Sequence, residues 1–204
     1  MRWKLGSLLL ACSVSDAVFV PDPMVQAQWG VAAIGAPTLW QLGLIGSRSV
    51  RVCLLDTGVD LTNADLSPNV WNATDGSHGV NIVFDPPTKD VQDDNGHGTM
   101  VAGIVGAANN GAGVVGVAPL VTLLPCKFLG AAGEGDMSRV QGCLAFCRDR
   151  DAQLVHGSFG ETQDFPDVRA AIAAMEKNGT LFVFSAGNDG MDTDRCAFFL
   201  KSGD

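Results

Sequence analysis

Five short apolar runs, separated by helical patterns, constrain the fold of this chain more than any other feature of its sequence. The first run, Val50 to Leu55, is almost continuously apolar and ends at Asp56-Thr57-Gly58, as a strand buried on both faces does. Strands that alternate with helices predict an α/β fold with a doubly wound, mainly parallel sheet and helices on both faces. The other predicted strands are Val80 to Phe84, Val121 to Phe128, Gln153 to His156 and Thr180 to Ser185.

Helical patterns occupy several of the stretches between these strands. Residues His97 to Ala107 are apolar almost all round, which predicts a helix buried in the centre of the domain. Met137 to Arg148 and Val168 to Lys177 each carry apolar residues on one face, and Asn178-Gly179 is a suitable C-cap for the second helix. A shorter helix is predicted from Ala36 to Leu42, with a proline in its first turn.

The first 17 residues have the composition of a secretory signal. Arg2 and Lys4 form a basic start, Leu5 to Val14 a short apolar core, and Ser15-Asp16-Ala17 a small-residue cleavage site. The alternative is a frayed N-terminus. We therefore predict a signal peptide over 1–17, a secreted protein, and an N-terminal lead-in segment over 18–48.

The charge of the chain argues against two classes of partner. The formal net charge at pH 7 is −9, so nucleic acid and anionic membranes are not expected to bind. Once the signal is removed, we expect no membrane association and a monomer. With 204 residues, 47% of them apolar, the chain is long enough for one domain with a hydrophobic core.

Six cysteines are present, five of them after the predicted signal. Such an odd number in a secreted chain implies at least one free or intermolecular thiol. Cys53 and Cys126 lie within apolar runs, and we expect them to pack as small buried hydrophobic side chains. Cys143 and Cys147 are four residues apart and share one face of a predicted helix, but they do not form a metal site without further ligands.

Polar residues that could carry chemistry stand at the ends of these elements. Asp56 ends the first strand, Asn188 follows the last, and His97 opens the buried helix between two glycines. In a parallel sheet all three positions fall at the edge where the carboxyl ends of the strands meet, and this is where such folds bind ligands. An acid, a base and an amide are therefore expected to converge on one edge.

These residue types suit acyl transfer. A carboxylate beside an imidazole holds its tautomer and stabilises the imidazolium that forms when the ring takes a proton. A side-chain amide directed at a developing oxyanion stabilises a tetrahedral intermediate. The alternatives are local: Asp56 and Asn188 as turn formers, and His97 as a capping residue in a tight turn. All three residues in order, each at the end of an element, are not expected by chance.

The motifs around these residues resemble the N-terminal two-thirds of a subtilisin-like serine protease domain. The resemblance runs from about residue 20 to about residue 190 and implies a serine endopeptidase with Asp56, His97 and Asn188 as catalytic residues. It places the partial peptidase domain at 49–190. The matching segments are Gln28-Trp29-Gly30, Leu55-Asp56-Thr57-Gly58-Val59-Asp60, Asn95-Gly96-His97-Gly98-Thr99-Met100-Val101-Ala102-Gly103 and Ser185-Ala186-Gly187-Asn188-Asp189-Gly190.

The resemblance also implies a peptide or protein substrate and a structural calcium ion, but no organic cofactor. Two segments resemble those that pair with an extended substrate through their backbones: Gly133-Glu134-Gly135 and Ser158-Phe159-Gly160. A loop and a distant aspartate resemble the family's calcium site, with a surface turn without metal as the alternative. The implied calcium ligands are Asp65, Ala108, Asn110, Ala112 and Val114.

The sequence departs from the family pattern after Asn188. The nucleophilic serine of the family lies in a Gly-Thr-Ser-Met-Ala type motif, whereas here only Ser202 follows, in an unrelated setting. Residues 191–204 read as a divergent tail, so we expect a fragment that lacks its nucleophile and is inactive alone. The alternative is a non-catalytic peptide-binding or decoy domain. A nucleotide-binding protein is disfavoured, because the glycines of 130–135 lack the phosphate-binding spacing and a lysine.

Overall fold

The computed structural model describes residues 19–160, 164–188 and 190; the predicted signal and the divergent tail lie outside them. The described residues form one five-stranded sheet in the order β2-β3-β1-β4-β5, and every strand pair is parallel. The strands are β1 Arg51–Asp56, β2 Val80–Asn81, β3 Thr122–Lys127, β4 Leu154–Gly157 and β5 Leu181–Phe184. The α-helices are α1 Trp29–Ala33, α2 Ala36–Gln41, α3 His97–Gly106, α4 Val140–Arg148 and α5 Pro166–Glu176.

Helices cover both faces of the sheet, so the predicted α/β class with a mainly parallel sheet is confirmed. On one face, α3 packs against β1 and β3 over a core that includes Leu54, Ala102 and Leu123. On the other face, α4 and α5 bury side chains such as Leu144 and Ile172 against the sheet. Both faces of β1 are therefore buried, which explains why its sequence is apolar without alternation. No helix in the described ranges is long and apolar enough to cross a membrane.

Most predicted elements form with boundaries shifted by one or two residues, but β2 is much shorter than the predicted Val80 to Phe84. The side chain of Asn81 ends the strand by closing a loop. Its Oδ1 accepts a hydrogen bond from the Val83 N–H at 2.9 Å, and its Nδ2 donates to the Asp90 carbonyl at 2.7 Å. An asparagine that bonds nearby backbone in this way competes with strand pairing. Likewise, Met137–Arg139 is a separate 3₁₀ turn ahead of α4.

The structure corrects the interpretation of the cysteines. Cys53 and Cys126 are fully buried as expected, but each forms a disulfide: Cys53 with Cys147, and Cys126 with Cys143. The pairing follows from topology, because β1 and β3 are neighbours and α4 crosses the face on which their cysteines point. One turn of α4 separates its two sulfurs, so each reaches a different strand, with Cα–Cα distances of 5.8 and 5.7 Å. Cys196 lies outside the described residues.

Candidate active site

The candidate site lies at the edge of the sheet where the strands end. Asp56 is the last residue of β1, the central strand, and β3 and β4 flank it on either side. The segments that follow β3 and β4 contain the two glycine-bearing stretches that the sequence assigned to substrate binding. A carboxylate is therefore flanked by two backbone segments at one edge of a parallel sheet, where α/β folds place their ligands.

Asp56 and His97 form the only direct hydrogen bond between two of the predicted catalytic side chains among the described residues. The distance between His97 Nδ1 and Asp56 Oδ1 is 2.7 Å. Asp56 is 2% exposed, whereas the His97 side chain is 43% exposed. A buried carboxylate favours the tautomer in which Nδ1 carries the proton, and this leaves the Nε2 lone pair on the exposed side of the ring.

Two glycines allow the close approach of these side chains. Gly96 adopts a positive φ of 104° as the residue before α3, a conformation that glycine takes at little cost. Gly98 packs against the turn after β1, where a Cβ atom would collide with the carbonyl oxygen of Gly58 and lie 3.0 Å from Asp56 Oδ1. The first turn of α3 can therefore rest directly on the segment that carries Asp56.

Asp93 organises the turn before His97, a role that was not predicted from the sequence. Its Oδ1 accepts hydrogen bonds from the Gly96 N–H at 2.9 Å and from the Thr57 hydroxyl at 2.8 Å. The Thr57 hydroxyl in turn accepts the Gly98 N–H at 2.9 Å. Asp93 and Thr57 thus connect the turn after β1 to the start of α3. An aspartate four residues before a glycine-flanked histidine is the sequence signal that marks this network.

The hydrogen bonds of Asp93 stabilise its ionised form. Burial acts to raise the pKa of this carboxyl, but the backbone N–H of Gly96 and the hydroxyl of Thr99, with the N–H groups of Asn95 and Thr99, lower the pKa to about 2. Asp93 therefore carries a negative charge throughout the neutral range beside the first turn of α3, where the helix dipole favours an anion.

Asn188 lies on the loop after β5, at the same edge of the sheet as Asp56, and is exposed. Its strand is separated from β1 by β4. The described residues place Asn188 at the edge predicted for it, but they do not bring its side chain into hydrogen-bonding contact with the Asp56–His97 pair. Its assignment to an oxyanion site stays a prediction.

The segment Gly133-Glu134-Gly135 is held in a turn at the end of β3. The Gly130 N–H donates to the Glu134 carbonyl at 2.9 Å, and Leu129 forms an antiparallel bridge with Gly135. Asn95, two residues before His97, donates from Nδ2 to the Ala131 carbonyl at 2.8 Å. The segment is therefore joined to the histidine turn, and Glu134 is exposed beside it.

The segment Ser158-Phe159-Gly160 follows β4 directly. Phe159 stacks edge-on against Phe128 with ring centroids 4.6 Å apart, which fixes this segment against the end of β3. Ser158 Oγ lies 2.7 Å from His156 Nε2. Burial lowers the pKa of His156, while Asp56 raises it and His97 lowers it, so this second imidazole responds to both members of the candidate pair.

The loop that the resemblance assigns to calcium folds against Asp65. Asp65 Oδ2 accepts the Val114 N–H at 3.0 Å, Asp65 Oδ1 lies 3.2 Å from Asn110 Nδ2, and the Ala108 N–H donates to the Asp65 carbonyl at 2.7 Å. Asn110 Oδ1 accepts the Ala112 N–H at 3.0 Å. The Asp65 carboxylate and the Asn110 side-chain amide thus lie together at this loop, and both supply oxygen atoms of the kind that calcium binds.

Asp22 is a second carboxylate against this loop, and the sequence reading did not identify it. It is 2% exposed, and its two oxygens accept the N–H groups of Asn110 and Gly111 at 3.1 and 2.6 Å. Within the described part of the chain, no group of three His, Cys, Asp or Glu side chains is placed to hold a metal ion. Any ion at this loop would therefore depend on amide and carbonyl oxygens as well as on carboxylates.

Comparison with known proteins finds relatives of this chain among serine and alkaline proteases. The chain is 33% identical over 169 residues to the Major intracellular serine protease of Bacillus subtilis (strain 168), which covers 81% of this chain and 51% of the relative. It is 36% identical over 162 residues to Subtilisin Savinase of Lederbergia lenta, covering 79% of this chain and 56% of the relative. It is also 36% identical over 162 residues to the Alkaline protease of Shouchella clausii, covering 79% of this chain and 40% of the relative. The chain spans about half the length of the curated relatives it matches.

The family assignment rests on the sequence as well as on the site. Residues 47–198 match the sequence model of the Subtilase family, a range that contains Asp56, His97 and Asn188. The matched range is well over half of the chain, and the resemblance read from the three motifs is confirmed. The chain belongs to the subtilase family.

Proposed function

We propose that this chain supplies the general base, its orienting carboxylate and part of the substrate cleft of a subtilisin-type serine endopeptidase. The observation that carries the proposal is the 2.7 Å contact between the buried Asp56 and the half-exposed His97. A buried carboxylate on Nδ1 leaves Nε2 free to take a proton from a hydroxyl, as a general base in acyl transfer must.

In this proposal, His97 Nε2 takes the proton of a serine hydroxyl as that oxygen attacks the carbonyl carbon of a peptide bond. Asp56 stabilises the imidazolium that results, and the ring then passes the proton to the leaving amine. The Asn188 amide donates a hydrogen bond to the developing oxyanion. The serine is one outside the described residues, because none of the described serines is hydrogen-bonded to His97.

The substrate is proposed to be an extended peptide, held between the segments after β3 and β4. Gly133 and Gly135 lie on one side of the central strand, and Ser158 and Gly160 on the other. Backbone hydrogen bonds to such segments bind a strand largely independently of its side chains. The Phe159 ring packs on Phe128 and so anchors the second segment to the end of β3.

Substitution of His97 tests this function. In a preparation that hydrolyses a fluorogenic peptide, His97→Ala should abolish the hydrolysis while leaving the melting temperature within a few degrees of the wild type. His78→Ala is the matched control, because the hydrogen bond of the His78 ring within the described residues is to a local carbonyl, that of Trp71, at 2.9 Å. Hydrolysis that survives His97→Ala would rule out the proposed base.

The alternative function, a non-catalytic peptide-binding domain, is favoured for the 204-residue chain by itself because His97 Nε2 has no hydroxyl partner among the described residues. In that case a fluorophosphonate probe should not label the purified chain, whereas a peptide should still bind. Labelling of the chain by the probe would contradict the alternative and identify a nucleophile within these residues.

A structural calcium ion and a secreted location complete the proposal. Asp65 and Asn110, with the carbonyls of Ala108, Ala112 and Val114, would hold the ion, and chelation should then lower the melting temperature of the wild type but not of Asp65→Ala. No change on chelation of the wild type would count against the site. Two buried disulfides support an oxidising compartment, although one relative is named as intracellular.

A further inference from the structure

We propose that Lys127 is a positioning residue for the Asp56–His97 pair, and that its buried ammonium group joins the three segments that form the site. This inference rests on the proposed function, in which that pair is the catalytic base. Lys127 is the last residue of β3 and the direct partner of Asp56 in the β1–β3 register. Because side chains alternate along a strand and Cys126 points towards α4, Lys127 points to the face that α3 covers.

The burial of Lys127 is unusual for a lysine. Only 4% of its side chain is exposed, whereas lysines are almost never fully buried unless they are paired. Moving an ammonium group out of water is costly, so its N–H groups need acceptors in the protein. The burial of Lys127 beside a candidate catalytic carboxylate must therefore be explained by the groups that its ammonium contacts.

The ammonium group has three N–H donors and three acceptors. It donates to the Thr57 carbonyl, to Asp94 Oδ1 at 2.6 Å and to the Leu129 carbonyl at 3.2 Å. The full complement of donors is used, so the group can be buried without an unsatisfied proton. The geometry also fixes where the three acceptors lie relative to one another.

Each acceptor belongs to a different part of the candidate site. Thr57 follows Asp56, Asp94 lies three residues before His97, and Leu129 begins the segment that leads to Gly133 and Gly135. One cation thus spans the turn with the carboxylate, the turn with the imidazole and the start of one substrate segment. Loss of the cation should let the three segments move apart, although each keeps its own local hydrogen bonds.

The effect on catalysis follows from how strictly the pair must be aligned. A displacement of about 1 Å at a catalytic group can lower the rate about a hundredfold. Lys127 does not touch the reacting atoms, so its loss should act through the hydrogen bond between His97 Nδ1 and Asp56. In a preparation that hydrolyses peptide, Lys127→Met should lower kcat about tenfold to a hundredfold.

A second ion pair supplies a matched control. Lys89 Nζ lies 2.7 Å from Asp75 Oδ2, nearly the same distance as in the Lys127–Asp94 pair, but the two side chains are 66% and 55% exposed. Lys89→Met and Asp75→Ala therefore remove a pair of the same chemistry that does not join the segments of the site.

The test measures the tautomer of His97 in the 204-residue chain. Long-range ¹H–¹⁵N correlation spectra, recorded where the ring is neutral, show which ring nitrogen carries the proton. The wild type should have the proton on Nδ1, as the Asp56 contact requires. In Lys127→Met the ratio of the Nδ1–H to the Nε2–H tautomer should fall at least about tenfold, whereas Lys127→Arg should restore part of it.

Asp94→Ala keeps the proposal testable if Lys127→Met fails to fold. Asp94 is 53% exposed, so its truncation leaves the core intact but separates the lysine from the histidine turn. In Asp94→Ala the His97 tautomer ratio should also fall, by at least about threefold. In the control variants Lys89→Met and Asp75→Ala the ratio should equal that of the wild type. An unchanged ratio in folded Lys127→Met, or in Asp94→Ala, would overturn the proposal.

This readout does not depend on proteolysis. If the wild type shows the expected tautomer and the variants lose it, but a form of the protein that also carries the serine hydrolyses no peptide, the positioning role stands and the proposed function fails. If peptide is hydrolysed and the tautomer ratio is the same in all variants, the function stands and Lys127 is only part of the packing.

Discussion

The two disulfides should contribute unequally to stability, because they close loops of very different length. Cys53 and Cys147 are 94 residues apart, whereas Cys126 and Cys143 are 17 apart. The loss of chain entropy in the unfolded state grows with the logarithm of loop length, which gives about 4.7 kcal/mol for the longer loop and about 3.1 kcal/mol for the shorter. The expected difference is about 1.5 kcal/mol.

Alanine replacement of each pair isolates that difference. All four cysteines are fully buried in one core cluster, so the loss of packing is expected to be similar for Cys53→Ala/Cys147→Ala and for Cys126→Ala/Cys143→Ala. The free energy of unfolding is measured by urea titration at equilibrium. With a slope of about 3 kcal/mol per molar urea, the variant without the longer loop should unfold about 0.5 M earlier than the other.

Removal of both pairs should be more severe. The combined loss of about 8 kcal/mol approaches the whole stability of an ordinary domain, about 5–15 kcal/mol, so the quadruple variant should be largely unfolded at 37 °C.

Fully buried sulfurs should also be protected from reductant until the chain unfolds, and alkylation followed by mass measurement can count the reactive thiols in native and denatured protein.

Two results would refute this reasoning. If the variant lacking the 17-residue loop were the less stable one, the loop-length argument would fail for this chain. If a peptide map under non-reducing conditions linked Cys53 to Cys143, the pairing itself would be wrong.

Three further predictions concern the site. Gly98→Ala should lower the free energy of unfolding by about 1–3 kcal/mol, because the added Cβ atom collides with the carbonyl oxygen of Gly58. Gly103→Ala on the same helix, where the added Cβ atom meets no atom within 4 Å, should raise it by up to about 1 kcal/mol. Urea titration of both variants checks this difference. The pKa of the Asp93 carboxyl is lowered from 3.8 to about 2, so its ionised form should contribute about 1–2 kcal/mol to the stability of the folded state. This contribution is present above about pH 4 and is lost as the pH falls to about 2, and Asp93→Asn should flatten that part of the stability–pH curve. The His156 ring should titrate below 6.5 in ¹H NMR, and its signal should disappear in His156→Gln; titration above 6.5 would contradict the burial argument.

The proximity of Asp56 and His97 could be predicted because it depends on topology alone. An apolar run that ends in a carboxylate, and a buried helix that begins with a histidine, both present their polar residue at the carboxyl edge of a parallel sheet. The structure adds the 2.7 Å contact and the burial of Asp56, but the edge itself follows from the strand pattern.

The disulfides could not be predicted, because each pair joins elements far apart in the sequence. The (i, i+4) spacing of Cys143 and Cys147 defines a helix face, but it does not tell which strands lie beneath that face. Only the strand order, with β1 next to β3, places one cysteine of each strand under α4. Lys127 was missed for a similar reason: a lysine at the end of an apolar run is expected to be exposed, and its burial depends on three acceptors from separate segments.

The acidic turn before His97 is bonded to Thr57, the residue after Asp56, by two routes. Asp93 accepts the hydroxyl of Thr57, whose oxygen also accepts the N–H of Gly98, while Asp94 reaches the carbonyl of the same threonine through the ammonium of Lys127. One route runs through the Asp93 carboxylate, whose hydrogen bonds lower its pKa to about 2, whereas the other depends on the Lys127–Asp94 ion pair. Because both routes act on Thr57, their losses should not be additive: after one route is lost, the remaining route restrains the separation of Asp56 and His97 only in part. Two adjacent aspartates in the sequence therefore perform distinct tasks at one junction, and this division explains why the turn carries both.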